Sequence, residues 1–316
     1  MPSPPEYSVV IPCYSSGRWL RELVESISGV LGEVHHEIVL VNDYSPDHET
    51  WQTIEDLARE KSNVVGIDLA RNSGQFAALM CGLAESRGDK VITMDDDFQH
   101  PPREIPKLIA GLDPATDVVI GAYERKSHRV FRNVGTRIMD WIFTNTYGKP
   151  RDLQMTSFRI LRRNVVEAML TFGTVRPVPG ALILQSTARI KNVAVLHEPR
   201  EHGNSGYSFG RLVASTLDNI VNASTVPLRL ISGLGLISAG IAAFALVVYL
   251  LRALLTDRAV PGFSTTVLLI TFFGGVSLLA IGVLGEYVVR LVVEAGHAPT
   301  YIVRERIGPG AQGLGR

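Results

Sequence analysis

The chain has 316 residues, and its 31 Lys and Arg are balanced by 31 Asp and Glu, leaving a formal net charge of zero. That balance offers no global attraction to nucleic acid, and a hydrophobic content of 46% excludes intrinsic disorder. Two cysteines, Cys13 and Cys81, are too few for a disulfide framework or a cysteine-based zinc cluster, and they suit a reducing compartment.

Residues 7–12, YSVVIP, read as a buried strand, and the stretch from about Gly17 to Val30 reads as a helix. A second strand follows at 36–42 (HEIVLVN), then a helix near 48–61, a strand at 64–68, a helix near 75–87 and a strand, VITMD, at 91–95. Strands and helices in strict alternation predict an α/β domain with a Rossmann-like, mostly parallel sheet covered by helices. In such sheets ligands bind beyond the carboxyl ends of the strands. Polar residues stand there four times: Pro12 and Tyr14, Asp43 and Ser45, Arg71 and Asn72, and Asp95, Asp96 and Asp97 with Gln99. The first strand is followed by no GxGxxG fingerprint, and no GxxxxGK[ST] loop occurs. Dinucleotide enzymes and P-loop NTPases are thereby disfavoured.

Three successive aspartates at the end of an apolar strand repel one another in a partly buried cleft unless a cation intervenes. Carboxylate and amide oxygens suit Mg²⁺ or Mn²⁺, which complete their shells with substrate phosphates. Along an extended segment Asp95, Asp97 and Gln99 project to one side and Asp96 to the other. The expected metal ligands are therefore Asp97 and Gln99, with Asp95 close behind. His100, next to the cluster, could reach phosphate but reads first as a surface residue.

Residues 123–139, YERKSHRVFRNVGTRIM, interleave Arg125, Lys126, Arg129, Arg132 and Arg137 with apolar side chains. This pattern suits an amphipathic stretch at a membrane surface, its basic side chains holding a lipid phosphate. Further on, Leu230 to Leu251 and Val267 to Leu284 are uncharged apolar runs, each long enough to cross about 30 Å of hydrocarbon. The connection from Arg252 to Thr266 contains Pro261 and Gly262, so the two runs predict a transmembrane hairpin with both ends on one side. The first residues lack the basic flank and apolar core of a signal peptide. The expected organisation is a cytoplasmic catalytic domain over residues 1–226, two spans over 227–292 and a cytoplasmic tail over 293–316, in the cell (inner) membrane.

The ordered series VVIPCY, VNDYSPD, LARNSGQ, ITMDDDFQHPPREIP and HGNSGYS resembles the successive motifs of the family 2 glycosyltransferases of GT-A fold. With two spans following, the chain resembles the polyprenyl-phosphate branch, which includes dolichyl-phosphate mannose synthases, bactoprenol glucosyltransferases and undecaprenyl-phosphate aminoarabinose transferases. The resemblance extends over about residues 7–303. It implies donor contacts at Pro12, Tyr14 and Asp43, with Arg71 in a shared motif, and metal ligation around Asp95, Asp97 and Gln99. Acceptor phosphate is implied at Arg132 and Thr136, an Arg followed four positions later by Thr, with Arg125 as a second choice. Asp152 matches a later acidic position near the acceptor. Residues 200–208 resemble a loop that closes over the donor pyrophosphate, where Arg200 or His202 stands in for the basic residue often found at the position of Gly206. The branch also implies a homotetramer.

Besides Gly206, the motifs depart from the family pattern at two places. Ser15 and Ser16 follow Tyr14 where the family has Asn-Glu, and Asn42-Asp43-Tyr44-Ser45 replaces Asp-Asp-Gly-Ser. Uridine and guanosine donors both remain open. The expected reaction is inverting transfer of one sugar from a nucleotide-sugar to polyprenyl (undecaprenyl) phosphate. A processive polysaccharide synthase of the same fold would carry a QxxRW motif and more spans, and neither occurs. A noncatalytic membrane scaffold with a GT-A fold is the alternative of another class.

Overall fold

The computed structural model describes residues 4–123, 140–141, 143–174, 177–198, 262–295 and 299–309, with isolated positions between 233 and 251. They fall into two units, one of Met1–Thr216 with Pro299–Arg316 and one of Leu217–Ala298.

The first unit opens with β1 (Tyr7–Cys13), α1 (Gly17–Leu31), β2 (His36–Asn42), α2 (His48–Glu60), β3 (Val64–Leu69), α3 (Gln75–Glu85) and β4 (Lys90–Thr93). Every residue of β1, β2 and β3 is buried, as expected of strands covered on both faces. On α1, Leu20, Leu23, Val24, Ile27 and Leu31 are buried, the stripe of a helix lying on a sheet. Asp47 caps α2 by accepting from the Thr50 amide at 2.8 Å. The Thr50 hydroxyl in turn accepts from the Ser16 and Gly17 amides at 3.0 and 3.1 Å, tying the starts of α1 and α2 together.

A 3₁₀ turn at Pro102–Glu104 leads into α4 (Ile105–Gly111), followed by β5 (Val118–Ala122), β6 (Arg159–Arg162), α5 (Arg163–Thr171), α6 (Pro179–Ser186) and β7 (Ile190–Ala194). After the second unit, β8 (Val303–Ile307) returns to the sheet. The eight strands lie in the order β7-β5-β6-β4-β1-β2-β3-β8. β1 is parallel to both β2 and β4, β2 to β3 and β5 to β7, whereas β6 is antiparallel to β4 and β5, and β8 is antiparallel to β3. Six of the eight strands therefore run the same way, as expected of a mostly parallel sheet, and β6 and β8 run against them. The strand order reverses at β1, which places the switch point between β1 and β4.

Two expectations are corrected here. The fourth strand ends at Thr93, so Met94 and Asp95, expected as its last residues, lie in the turn beyond it with Asp96 to Gln99. The segment expected as a separate tail contributes β8, so the catalytic sheet is closed on one edge by residues from the far end of the chain.

In the second unit, α7 (Phe263–Ala295) runs for 33 residues and contains the whole second apolar run. At 1.5 Å per residue it is about 50 Å long. The described positions between Gly233 and Leu251 are helical, but most of the first apolar run lies outside the described residues. Among the described residues no helix is long and apolar enough to cross a membrane.

Candidate active site

The loops after β1, β2, β3 and β4 meet at the carboxyl ends of their strands. Among the described residues, the non-glycine residues with positive φ are Ser15 (55°), Tyr44 (53°) and Phe98 (58°). Each lies in a different one of these loops. Left-handed backbone at non-glycine residues is uncommon and gathers at functional sites. Tyr44 stands where the resembling motif has Gly, and its conformation gives the reason: the turn after β2 needs a residue that tolerates positive φ.

Asp43 is buried, and its carboxylate accepts from the Ser73 and Gly74 amides at 2.7 and 2.9 Å. Gly74 has φ 90°, which lets the backbone turn its N–H toward Asp43 at the start of α3. The Asn72 side chain donates to the Asp43 carbonyl at 3.1 Å, so the second and third loops form one unit. Burial raises the Asp43 pKa, and the two amide donors oppose that rise. Arg71 is exposed in the same loop. Tyr14 is half-exposed at the mouth, whereas Pro12 is buried within β1.

The acidic segment is held from three sides. Asp95 accepts from Gln75 Nε2 at 2.7 Å and from the Ser157 hydroxyl at 2.5 Å. Asp96 turns toward β1, where its carboxylate accepts from the Tyr14 amide at 3.1 Å and its carbonyl from Trp19 Nε1 at 2.5 Å. Burial pushes the Asp96 carboxyl up to about 6; the Tyr14 amide opposes this and the charges of Asp95 and Asp97 add to it. Asp97 is buried and accepts from the Gln99 amide at 3.1 Å. Asp96 thus has partners just after β1 and on α1, whereas those of Asp95 come from α3 and the segment just before β6. Among the described residues no three His, Cys, Asp or Glu side chains form a group that could hold a metal ion by themselves. Two carboxylates and a carboxamide fit a hard cation that draws the rest of its shell from water and phosphate.

Ser157, Arg159 and Gln75 are site residues that sequence reasoning missed. β6 runs antiparallel to β4 with Arg159 opposite Thr93, which brings the start of β6 to the carboxyl end of β4. Arg159 is buried close to Asp95, and desolvation lowers its guanidinium to about 10 while the Asp95 charge pulls it up. His100, expected at the surface, is buried and stacks on Phe158 with ring centroids 5.2 Å apart. Burial lowers its imidazole to about 4, with His197 adding to the shift and Asp97 opposing it. Tyr123 stacks on His197 at 4.3 Å and completes an aromatic wall beside the acidic turn.

Asp152 lies on an exposed turn. Arg125, Arg132, Thr136, Arg200 and His202 lie outside the described residues.

A sequence model of the family described as glycosyl transferase family 2 matches residues 8–170, just over half of the chain. The chain belongs to glycosyltransferase family 2. Its donors are accordingly nucleotide sugars, and the mixed Rossmann-like sheet agrees with the GT-A fold. Among solved structures, a mycobacterial protein is 16% identical with a TM-score of 0.51, the match covering 70% of this chain and 74% of that one. Glucosyl-3-phosphoglycerate synthase from Mycobacterium tuberculosis, in complex with Mn²⁺ and UDP-glucose, is 18% identical with a TM-score of 0.49, covering 72% and 78%. Mannosyl-3-phosphoglycerate synthase from Rubrobacter xylanophilus is 16% identical with a TM-score of 0.49, covering 72% and 74%. At these identities the likeness is one of fold.

Proposed function

We infer that this family 2 glycosyltransferase moves one sugar from a nucleotide-sugar to a polyprenyl phosphate, with inversion, at the cytoplasmic face of the membrane. The donor half rests on Asp43, Tyr14 and the acidic turn meeting at the switch point of the sheet. The observation that carries the acceptor half is the sequence pattern: two uncharged apolar runs, Leu230–Leu251 and Val267–Leu284, following a family 2 domain and an amphipathic basic segment.

In this reading the Asp43 carboxylate accepts N–H groups of the donor base, and the half-exposed Tyr14 ring borders the nucleoside. Asp97, Gln99 and Asp95 would hold Mg²⁺ or Mn²⁺, which when bound neutralises charge on the departing nucleoside diphosphate. Arg159 steadies Asp95 electrostatically, and Gln75 and Ser157 fix its carboxylate by hydrogen bonds. Arg125, Arg132 and Thr136 are the proposed acceptor-phosphate residues, and Arg200 and His202 the proposed lid contacts to pyrophosphate. A lipid monophosphate, with a second pKa of about 6, already presents a nucleophilic oxygen at neutral pH, so no strong general base is needed. Asp152 then orients the acceptor. In-line attack at the anomeric carbon of an α-linked donor gives a β-linked polyprenyl-phosphate sugar. A homotetramer, as the resembling branch implies, is the proposed assembly.

The deciding experiment offers purified protein a panel of labelled UDP- and GDP-sugars with undecaprenyl phosphate, with Mg²⁺ or Mn²⁺ and with chelator. One metal-dependent lipid-linked monosaccharide is expected. Asp97→Ala should lower its rate by roughly 10³-fold, the scale of a lost Lewis-acid contribution of several kcal/mol. Polymer from a single donor would instead indicate a processive synthase. Metal-dependent nucleotide binding without transfer would indicate a scaffold.

A further inference from the structure

The donor loops are joined to the last strand of the sheet by a continuous polar path. β8 pairs antiparallel with β3, Asp68 lying opposite Glu305 and Ile67 opposite Arg306. Just before the strand, the Ile302 carbonyl accepts from the Ala70 amide at 2.8 Å, fixing the end of β3 where the Arg71–Gly74 loop begins. Gly308, with φ 109°, closes the strand so tightly that a Cβ there would lie 2.4 Å from the Val64 carbonyl oxygen.

Asp68 is fully buried in β3, and Arg304 of β8 forms an ion pair with its carboxylate. Asp68 Oδ1 accepts from Asn42 Nδ2 at 2.7 Å. Asn42 Oδ1 accepts from the Ser45 amide at 3.2 Å and the Ser45 hydroxyl at 2.6 Å. The Ser45 hydroxyl oxygen accepts in turn from the Ser15 amide at 3.1 Å. The path therefore ends at the neighbours of Asp43 and Tyr14.

Its polarity is forced by chemistry. A carboxylate only accepts, so Asp68 dictates that the NH₂ end of Asn42 faces it and the oxygen end faces Ser45. Arg304 supplies the countercharge that a buried carboxylate requires. A carboxylate at position 42 would face that of Asp68, with one guanidinium to serve both.

We propose that β8 positions the donor site: Arg304, acting through Asp68 and Asn42, sets the loops that carry Tyr14 and Asp43 and thereby governs affinity for the nucleoside diphosphate of the donor. Arg304 is a positioning residue, and the proposal rests on the assignment of the donor nucleotide to Tyr14 and Asp43.

The test measures dissociation constants of UDP and GDP in the presence of Mn²⁺ for the full chain, together with thermal midpoints. Arg304→Gln and Asn42→Asp should each weaken binding of the preferred nucleotide about tenfold, the scale of one mispaired buried polar group. The exchange variant Asn42→Asp/Asp68→Asn restores one carboxylate facing one amide, keeps an acceptor toward Ser45, and should return affinity to within about threefold of the parent. Nucleotide affinities within about twofold of the parent in Arg304→Gln and Asn42→Asp, with only the midpoints lowered, would reduce the path to a structural role and overturn the proposal. A parent chain that binds neither UDP nor GDP would overturn the donor-site assignment itself, and the proposal with it.

Discussion

At the scale of single residues, Asp43 links burial to function. Its raised pKa comes first from desolvation, and the Ser73 and Gly74 amides offset only part of it. The unfolded chain releases this proton near about 3.9, and the folded chain releases it at higher pH. Between those two values the folded state binds more protons than the unfolded state, so the contribution of Asp43 to stability is greatest below both and falls as pH rises. In the proposed reading, nucleotide binding needs the carboxylate and rises over the same window. The Asp43-dependent parts of thermal midpoint and nucleotide affinity, each read as parent minus Asp43→Asn, should therefore slope in opposite directions from about pH 4 upward. Parallel slopes in that difference would show that Asp43 does not accept from the base. Asp43, Asp95, Asp97 and Gln99 were legible in the sequence because polar residues directly after apolar strands fall at carboxyl ends. Ser157 and Arg159 were not, because only the antiparallel register of β6 against β4 brings them there. His100 was misread for a related reason: the cover that buries it comes from Phe158, Tyr123 and His197, all distant in sequence.

At the scale of elements, β1 through β4 and the helices between them follow from periodicity, since strands buried on both faces read as continuous apolar runs. β6 (RILR) and β8 (VRERI) are short and rich in charge, and their pairing depends on partners far along the chain. No local pattern announces them. The loops carry strain that the sequence announces only indirectly. Tyr44 holds φ 53° with its ring half-exposed, so little packing is lost if the side chain is removed. Relief of the left-handed penalty, about 1–2 kcal/mol, exceeds the added chain entropy of glycine, about 0.5–1 kcal/mol. Tyr44→Gly should raise unfolding free energy by the difference, roughly 0.5–1 kcal/mol, in denaturant titration. A loss of stability would mean that the ring makes contacts worth more than the strain it imposes. Turnover read beside stability tells whether the ring also borders the donor.

At the scale of the molecule, the two units differ in what they do with apolar surface. The first buries it in layers on both sides of one sheet. On α7 of the second, Ile270, Phe272, Ile281, Leu284 and Leu291 are all more than half exposed. A soluble monomer rarely leaves so extended an apolar face to water, and on the sequence alone the uncharged run from Val267 to Leu284 reads as a span. The full chain should stay with the membrane fraction through an alkaline carbonate wash, whereas a variant in which a flexible linker replaces residues 217–298 should be released. Retaining Pro299–Arg316 in that variant matters, because β8 closes the edge of β3 and Arg304 neutralises Asp68. A chain simply cut after Thr216 should therefore be released as well but melt at lower temperature and bind nucleotide more weakly than the linked variant. Full-chain protein found free in the soluble fraction would remove the membrane from this picture and direct the search toward a water-soluble acceptor.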